Sequence, residues 1–165
     1  MHQSPCLRVE TNEDYAMLAE QLHALIEDSP VLSALSNASA LLWEALTNIN
    51  WVGFYLAKDG HLLLGPFQGK PACITIAFGK GVCGTAAATR EIQLVENVHE
   101  FPGHIACDSA SNSEIVLPLI VDDVVVGVLD IDSPIYNRFS TTDSDGLQQI
   151  CRVLISSLDW SCGLL

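Results

Sequence analysis

Two thiols and three carboxyls carry the chemistry legible in this chain. Cys107 lies in a loop of serine, aspartate and asparagine, HIACDSASNS, where burial in a core is not assured for a thiol. Glu114 stands where that loop gives way to an apolar run, EIVLPLIV. A carboxylic acid there can give a proton to an oxyanion or hydroxyl; the plainer reading is a solvent-facing charge at a strand start. Asp130 and Asp132 close the next apolar run, VVVGVLDID. Their period-two spacing puts both on one face of a strand. Two such carboxylates repel unless a cation or ammonium sits between them, so the pair is either a solvated strand end or a cationic cradle. Cys73 opens another apolar stretch after Lys70 and Pro71. A reactive cysteine must ionise, and carboxylates near Cys107 oppose that unless they are protonated or offset. Trp51 and Tyr55 share a strand face. They are either core or interface packing, or the wall of a pocket for a small apolar group, with indole and phenol polar atoms left to orient a ligand.

Other patterns carry less. GKGVCG satisfies G-x-G-x-x-G, but the dinucleotide reading needs a long following helix in a βαβ unit, and neither is indicated. The glycines let a loop turn and pack against a sheet. His99, His104, Cys107 and Asp108 contain zinc-type donors, yet Pro102-Gly103 breaks any helix that would align the histidines. No metal site is expected. The six cysteines, Cys6, Cys73, Cys83, Cys107, Cys151 and Cys162, show no C-x-x-C spacing. With no signal-peptide pattern and no membrane-length apolar run, a reducing cytoplasm is expected, without permanent disulfides. Cys151 should face core or a dimer contact. Cys6 and Cys162, near the ends, should do nothing essential. Twenty acidic against seven basic residues give a formal charge of −13. That disfavours nucleic acid and acidic membrane surfaces as partners.

The elements that position these residues read in order. Thr11 caps a helix through about residue 28, with Asp14 completing a capping box and Tyr15, Leu18, Leu22, Leu25 and Ile26 on its apolar face. Residues 32–48 form a second helix with Leu35, Leu42 and Leu46 inward, or two short pieces. WVGFYLA is a strand, Asp59-Gly60 a hairpin turn and HLLLGPFQG the return, bent or bulged at Gly65-Pro66. ACITIAF is a third strand, residues 82–89 a short helix, and IQLVENV a short strand. A loop follows from His99 to Asn112. Two strands flank Asp122-Asp123, with Pro118 marking an irregular or edge position. Thr141 or Thr142 caps the last helix. The order predicts an α+β domain with a largely antiparallel sheet and helices on one side. A single domain over residues 1–165 is expected, with residues 1–30 a helical extension.

The segments INWVGFYL, LGPFQGKPAC, GKGVCGTAA, HIACDSASNSEIVLPL and GVLDIDS together resemble the free methionine-(R)-sulfoxide reductases, a GAF-domain family. The resemblance runs from about Leu32 to Leu158. It implies a GAF fold, a six-stranded antiparallel sheet flanked by helices, commonly a homodimer. It implies reduction of free methionine (R)-sulfoxide with no bound cofactor, the electrons coming from thioredoxin or a related dithiol protein. By the same resemblance Cys107 is the nucleophile, Cys73 the resolving thiol that forms a disulfide with it, and Cys83 an auxiliary cysteine. Trp51 and Tyr55 match the pocket for the methyl-sulfoxide end, and Glu114, Asp130 and Asp132 the substrate-binding carboxylates, Glu114 also as proton donor. The alternative is a sensory GAF module that binds a small ligand without turnover, since fold does not fix function.

Overall fold

A computed structural model describes residues 7–104 and 109–162. The elements run α1 (Asn12–Ile26), α2 (Val31–Ala45), β1 (Trp51–Lys58), β2 (His61–Gly69), β3 (Thr75–Ala77), α3 (Gly81–Thr89), β4 (Gln93–Val95), β5 (Ser113–Val121), β6 (Val124–Ser133) and α4 (Thr141–Ser157). A turn of 3₁₀ helix, Val98–Glu100, falls where the sequence suggested the end of a strand and the start of a loop, and β4 stops at Val95. The strands make one antiparallel sheet in the order β3-β2-β1-β6-β5-β4. Both hairpin turns have positive φ at their two central residues, Asp59-Gly60 and Asp122-Asp123, as two-residue turns between twisted strands require. Gly53 pairs with Phe67 but Tyr55 with Leu64. The extra residue is in β2 at Gly65-Pro66, the expected bulge. β4 pairs only with Glu114–Val116, so at Pro118 that side of β5 is a sheet edge.

Side chains alternate across the sheet. Val52, Phe54 and Leu56 of β1 join Ile115, Leu117, Leu129 and Ile131 in a core against α1, α2 and α4. Trp51 and Tyr55 face the other way, with Val116, Val128 and the α3 residues Val82, Cys83, Ala86 and Ala87. Helices therefore cover both faces, not one. α3 is nearly all glycine, alanine, valine and cysteine, so its sequence has no polar stripe to show which face it covers.

The expected Thr11–Asp14 capping box starts α1, but Leu25 is 44% exposed and leaves the apolar stripe. α2 is one helix; Ser36 and Ser39 donate back to the carbonyls of Leu32 and Leu35, which accommodates hydroxyls inside it. α4 is capped by Ser140, not Thr141 or Thr142, with Asp143 closing the box. Asp143 has a second task. Its Oδ1 accepts from the buried Tyr15 hydroxyl at 2.8 Å and its Oδ2 from Arg138 at 3.2 Å, which fastens α1 to the start of α4. Cys151 is buried in this core, its thiol pushed up to about 12 by burial. Among the described residues no helix is long and apolar enough to cross a membrane.

A β-carbon on Gly146 would lie 2.0 Å from the Tyr15 ring. Gly146→Ala is therefore expected to destabilise by about 1–3 kcal/mol through overpacking. Urea unfolding should show a lower midpoint at unchanged slope; an unchanged midpoint would mean that this contact yields freely.

Candidate active site

Strand register brings the candidate residues into one row. Across β1 and β6, Trp51 faces Asp132 and Gly53 faces Asp130; across β5 and β6, Glu114 faces Asp132 and Val116 faces Asp130. Directly opposed residues share a sheet face. Glu114, Asp130, Asp132, Trp51 and Tyr55 consequently line one cavity beneath α3. Cys83 reaches it from α3 and Lys80 from the helix start, while Lys70, His104 and Ser111 border it from the connecting segments. Only Gly fits opposite Asp130, because a β-carbon on Gly53 would come within 2.3 Å of the Phe67 β-carbon.

The acids are not a solvated strand end. Glu114 and Asp130 are each 5% exposed. Burial pushes the Glu114 carboxyl well above its ordinary range, and the charges of Asp130 and Asp132 push it further. Burial also raises Asp130, while hydrogen bonding from Glu114 and Cys83 favours its ionised form. Glu114 therefore holds a proton and shares it towards Asp130. Among the described residues Oδ1 of Asp130 has no hydrogen-bond partner, an acceptor directed at whatever cation or donor enters.

Cys83 is free and buried, its sulfur 3.9 Å from Glu114 Oε1. Burial, then the charges of Asp130 and Glu114, keep it a neutral thiol. His104 Nε2 lies 3.8 Å from the other oxygen, Glu114 Oε2. Burial and then the charge of His99 lower its pKa, so the imidazole is neutral and the contact is no ion pair. His99 points elsewhere, to Asn112 Oδ1 at 2.9 Å.

Trp51 stacks against Tyr55 and against Phe67, ring centres 5.9 and 5.2 Å apart. Its polar atom is not left for a ligand: the indole N–H donates to the Lys70 carbonyl at 3.1 Å. The Tyr55 hydroxyl likewise donates to the Cys73 carbonyl at 3.0 Å, and burial, then Asp130, raise its pKa so that it stays a donor. The two polar atoms thus pin the Lys70–Cys73 segment beside the cavity, while the residues themselves line it. Cys73 is disulfide-bonded, whereas Cys83, Cys151 and Cys162 are free thiols. Cys107 and Asp108 lie outside the described residues. His104, Ser111, Lys70 and Lys80 escaped the sequence reading as parts of this cavity; their one signal was closeness in sequence to Cys107, Glu114, Cys73 and Cys83.

The glycines of GKGVCG serve packing. Gly79 and Gly81 have positive φ, and a β-carbon on Gly84 would lie 2.4 Å from the Ala77 carbonyl oxygen. They seat α3 against the end of β3 and bring Cys83 over the acids.

Residues 31–158 match the GAF domain family. The chain is 56% identical over 139 residues to the free methionine-R-sulfoxide reductase of Escherichia coli, covering 84% of each. It is 49% identical over 131 residues to the Saccharomyces cerevisiae enzyme of that description, covering 74% of this chain and 73% of that one. The X-ray structure of free methionine-R-sulfoxide reductase from Neisseria meningitidis in complex with its substrate superposes with a TM-score of 0.88 at 38% identity, covering 95% of each chain.

The buried acid has a measurable consequence. A carboxyl that stays protonated in the fold but ionises in the unfolded chain penalises folding increasingly as pH rises above about 4.3. Glu114→Gln removes that penalty. Its melting temperature should exceed that of the parent at pH 7, with the gain fading towards pH 4; an equal gain at both pH values would show that Glu114 is not the perturbed group. Tyr55→Phe should free the Cys73 segment and speed dithiothreitol reduction of the Cys73 disulfide severalfold, read by thiol alkylation. An unchanged rate would mean that the hydroxyl does not tether it.

Proposed function

This chain belongs to the free methionine-R-sulfoxide reductases, a family built on the GAF fold, and reduces methionine R-sulfoxide through cysteine chemistry; we propose the following division of labour within its chamber. The observation that carries it is a carboxylic acid, Glu114, kept protonated beside an acidic pair and an aromatic wall. The faces of Trp51 and Tyr55 hold the methyl-sulfoxide end. Asp130 and Asp132 take the ammonium group of the free amino acid. The Cys107 thiolate attacks the sulfoxide sulfur while Glu114 delivers its proton to the oxygen. The S–O bond breaks as the oxygen leaves as water and Cys107 is bonded to the methionine sulfur. Water then attacks the Cys107 sulfur, that S–S bond breaks, methionine leaves with its sulfur reduced, and Cys107 is left as a sulfenic acid. The Cys73 thiol then displaces water from that sulfur to form the Cys73–Cys107 disulfide. The disulfide-bonded state of Cys73 and the tether of its segment beside the cavity support this pairing.

A thioredoxin-like dithiol protein restores both thiols by exchange, supplying the two electrons of each turnover. No bound cofactor takes part. Cys83, buried and neutral, is an auxiliary thiol that hydrogen-bonds Glu114 rather than the first resolving one. We place the enzyme in the cytosol as a homodimer, for which α1 and α2 offer the exposed apolar residues Met17, Leu32 and Trp43.

Rapid-quench assays with free methionine (R)-sulfoxide test these roles. Cys107→Ser should release no methionine, and Cys73→Ser should release one equivalent in a burst and then recycle slowly with thioredoxin. Glu114→Gln should slow the chemical step by about 10²–10⁴-fold. Retained turnover in Cys107→Ser, no burst in Cys73→Ser, or an unaltered burst rate in Glu114→Gln would each remove the corresponding role.

A further inference from the structure

The chamber also holds a donor set that the reductase chemistry does not use as a set. The Cys83 sulfur and one carboxyl oxygen from each of Glu114 and Asp130 lie within 4.8 Å of one another. Sulfur and Glu114 Oε1 are 3.9 Å apart. Donors about 2.0–2.3 Å from a tetrahedral zinc ion stand roughly 3.3–3.8 Å from each other. Closing the triangle onto an ion therefore needs shifts of about an ångström. The three donors come from three packed elements, α3, β5 and β6, and each residue is 5% exposed. A second observation points into the same place: Oδ1 of Asp130 is buried and has no hydrogen-bond partner among the described residues. His104 Nε2, 3.8 Å from the other Glu114 oxygen, is within reach of a fourth position.

A thiol with two carboxyls and an imidazole is a borderline donor set. It selects zinc-class ions over magnesium and calcium, which take all-oxygen shells. We propose that Cys83, Glu114 and Asp130 form an inhibitory site for a thiophilic divalent cation of the zinc class, which shuts the reductase by filling its substrate chamber. The ion is no cofactor. It displaces the Cys83 and Glu114 protons to solvent and covers the Asp130 oxygen directed at the ammonium group. It thereby removes the proton donor and the cradle together. The inhibitory part rests on the function proposed above; ion binding does not.

The test uses Cys73→Ser/Cys107→Ser protein, in which Cys83 is the one thiol left at the chamber, titrated with Co²⁺ as spectroscopic probe. One equivalent should produce a thiolate-to-metal charge-transfer band, lost when Cys83→Ser is added. Glu114→Gln and Asp130→Asn, which keep the thiol, should each weaken Co²⁺ binding at least tenfold, and they decide the matter if the Cys83 variant does not fold. Absence of the band, its survival without Cys83, or unchanged affinity in both carboxyl variants would overturn the site. In the native enzyme Zn²⁺ should inhibit competitively with methionine sulfoxide and a chelator should restore the rate. A band without inhibition would overturn the inhibitory role. A native enzyme inactive even with chelator would instead count against the proposed reaction, with the Co²⁺ band still deciding the site.

Discussion

The structure depends on burying several carboxyls together on one face of its central strands. Isolated, each would be costly to desolvate, and together they repel. The fold solves this with a proton: burial and its acidic neighbours make Glu114 keep one, and hydrogen bonding from Glu114 and Cys83 favours the ionised form of Asp130 against the cost of its burial. Adjacent strands supply the groups at directly opposed positions, Glu114 against Asp132 and Asp130 against Gly53. The hydrogen-bonded ladder holds them, so they cannot swing apart to relieve the repulsion. What the fold has stored is an acid ready to donate and, among the described residues, a buried carboxyl oxygen without a hydrogen-bond partner.

Rigidity around that group comes from both sides of the sheet. On one face the large apolar core against α1, α2 and α4 fixes the strands, and the Tyr15–Asp143–Arg138 contacts lock α1 onto the start of α4. On the other, Trp51 and Tyr55 act twice. Their rings build the wall, and their single polar atoms hold the Lys70–Cys73 backbone. In the proposed reaction this couples the substrate wall to the resolving cysteine. A ring displaced in the pocket also moves the segment that must meet Cys107.

Period-two patterning made the strands legible, along with the shared face of Asp130 and Asp132 and of Trp51 and Tyr55. Turn chemistry identified Asp59-Gly60 and Asp122-Asp123, and the Thr11–Asp14 box identified the first helix start. The S-x-x-D box at Ser140 was equally local, yet the following threonines offered competing caps, and only Asp143 bonding back to Ser140 decides between them. The rest was not local at all. Whether Glu114 faces water depends on β6 lying beside β5. The uses found for the Trp51 and Tyr55 polar atoms depend on how β2 leads into β3. α3's side of the sheet is set by Gly84 meeting the Ala77 carbonyl, not by any stripe of its own. The GAF-like segments span elements that no single spacing connects, so the resemblance groups residues whose contacts no local pattern encodes.

The same electrostatics bears on why the proposed substrate is a free amino acid. A methionine sulfoxide within a protein has an amide in place of the ammonium group. Seating it in the chamber would leave the buried Asp130 oxygen, which has no hydrogen-bond partner among the described residues, facing a neutral amide in place of a cation. Truncating one partner of a buried charge pair costs about 3–5 kcal/mol, and a substrate without the cation presents an analogous mismatch. At about 1.4 kcal/mol per tenfold, that range corresponds to a discrimination of roughly two to four powers of ten. The chain on either side of a protein-bound residue would also have to be accommodated beside the pinned Lys70–Cys73 segment, which forms part of the chamber's lining. Charge and enclosure therefore act in the same direction, and neither requires a residue dedicated to rejecting proteins.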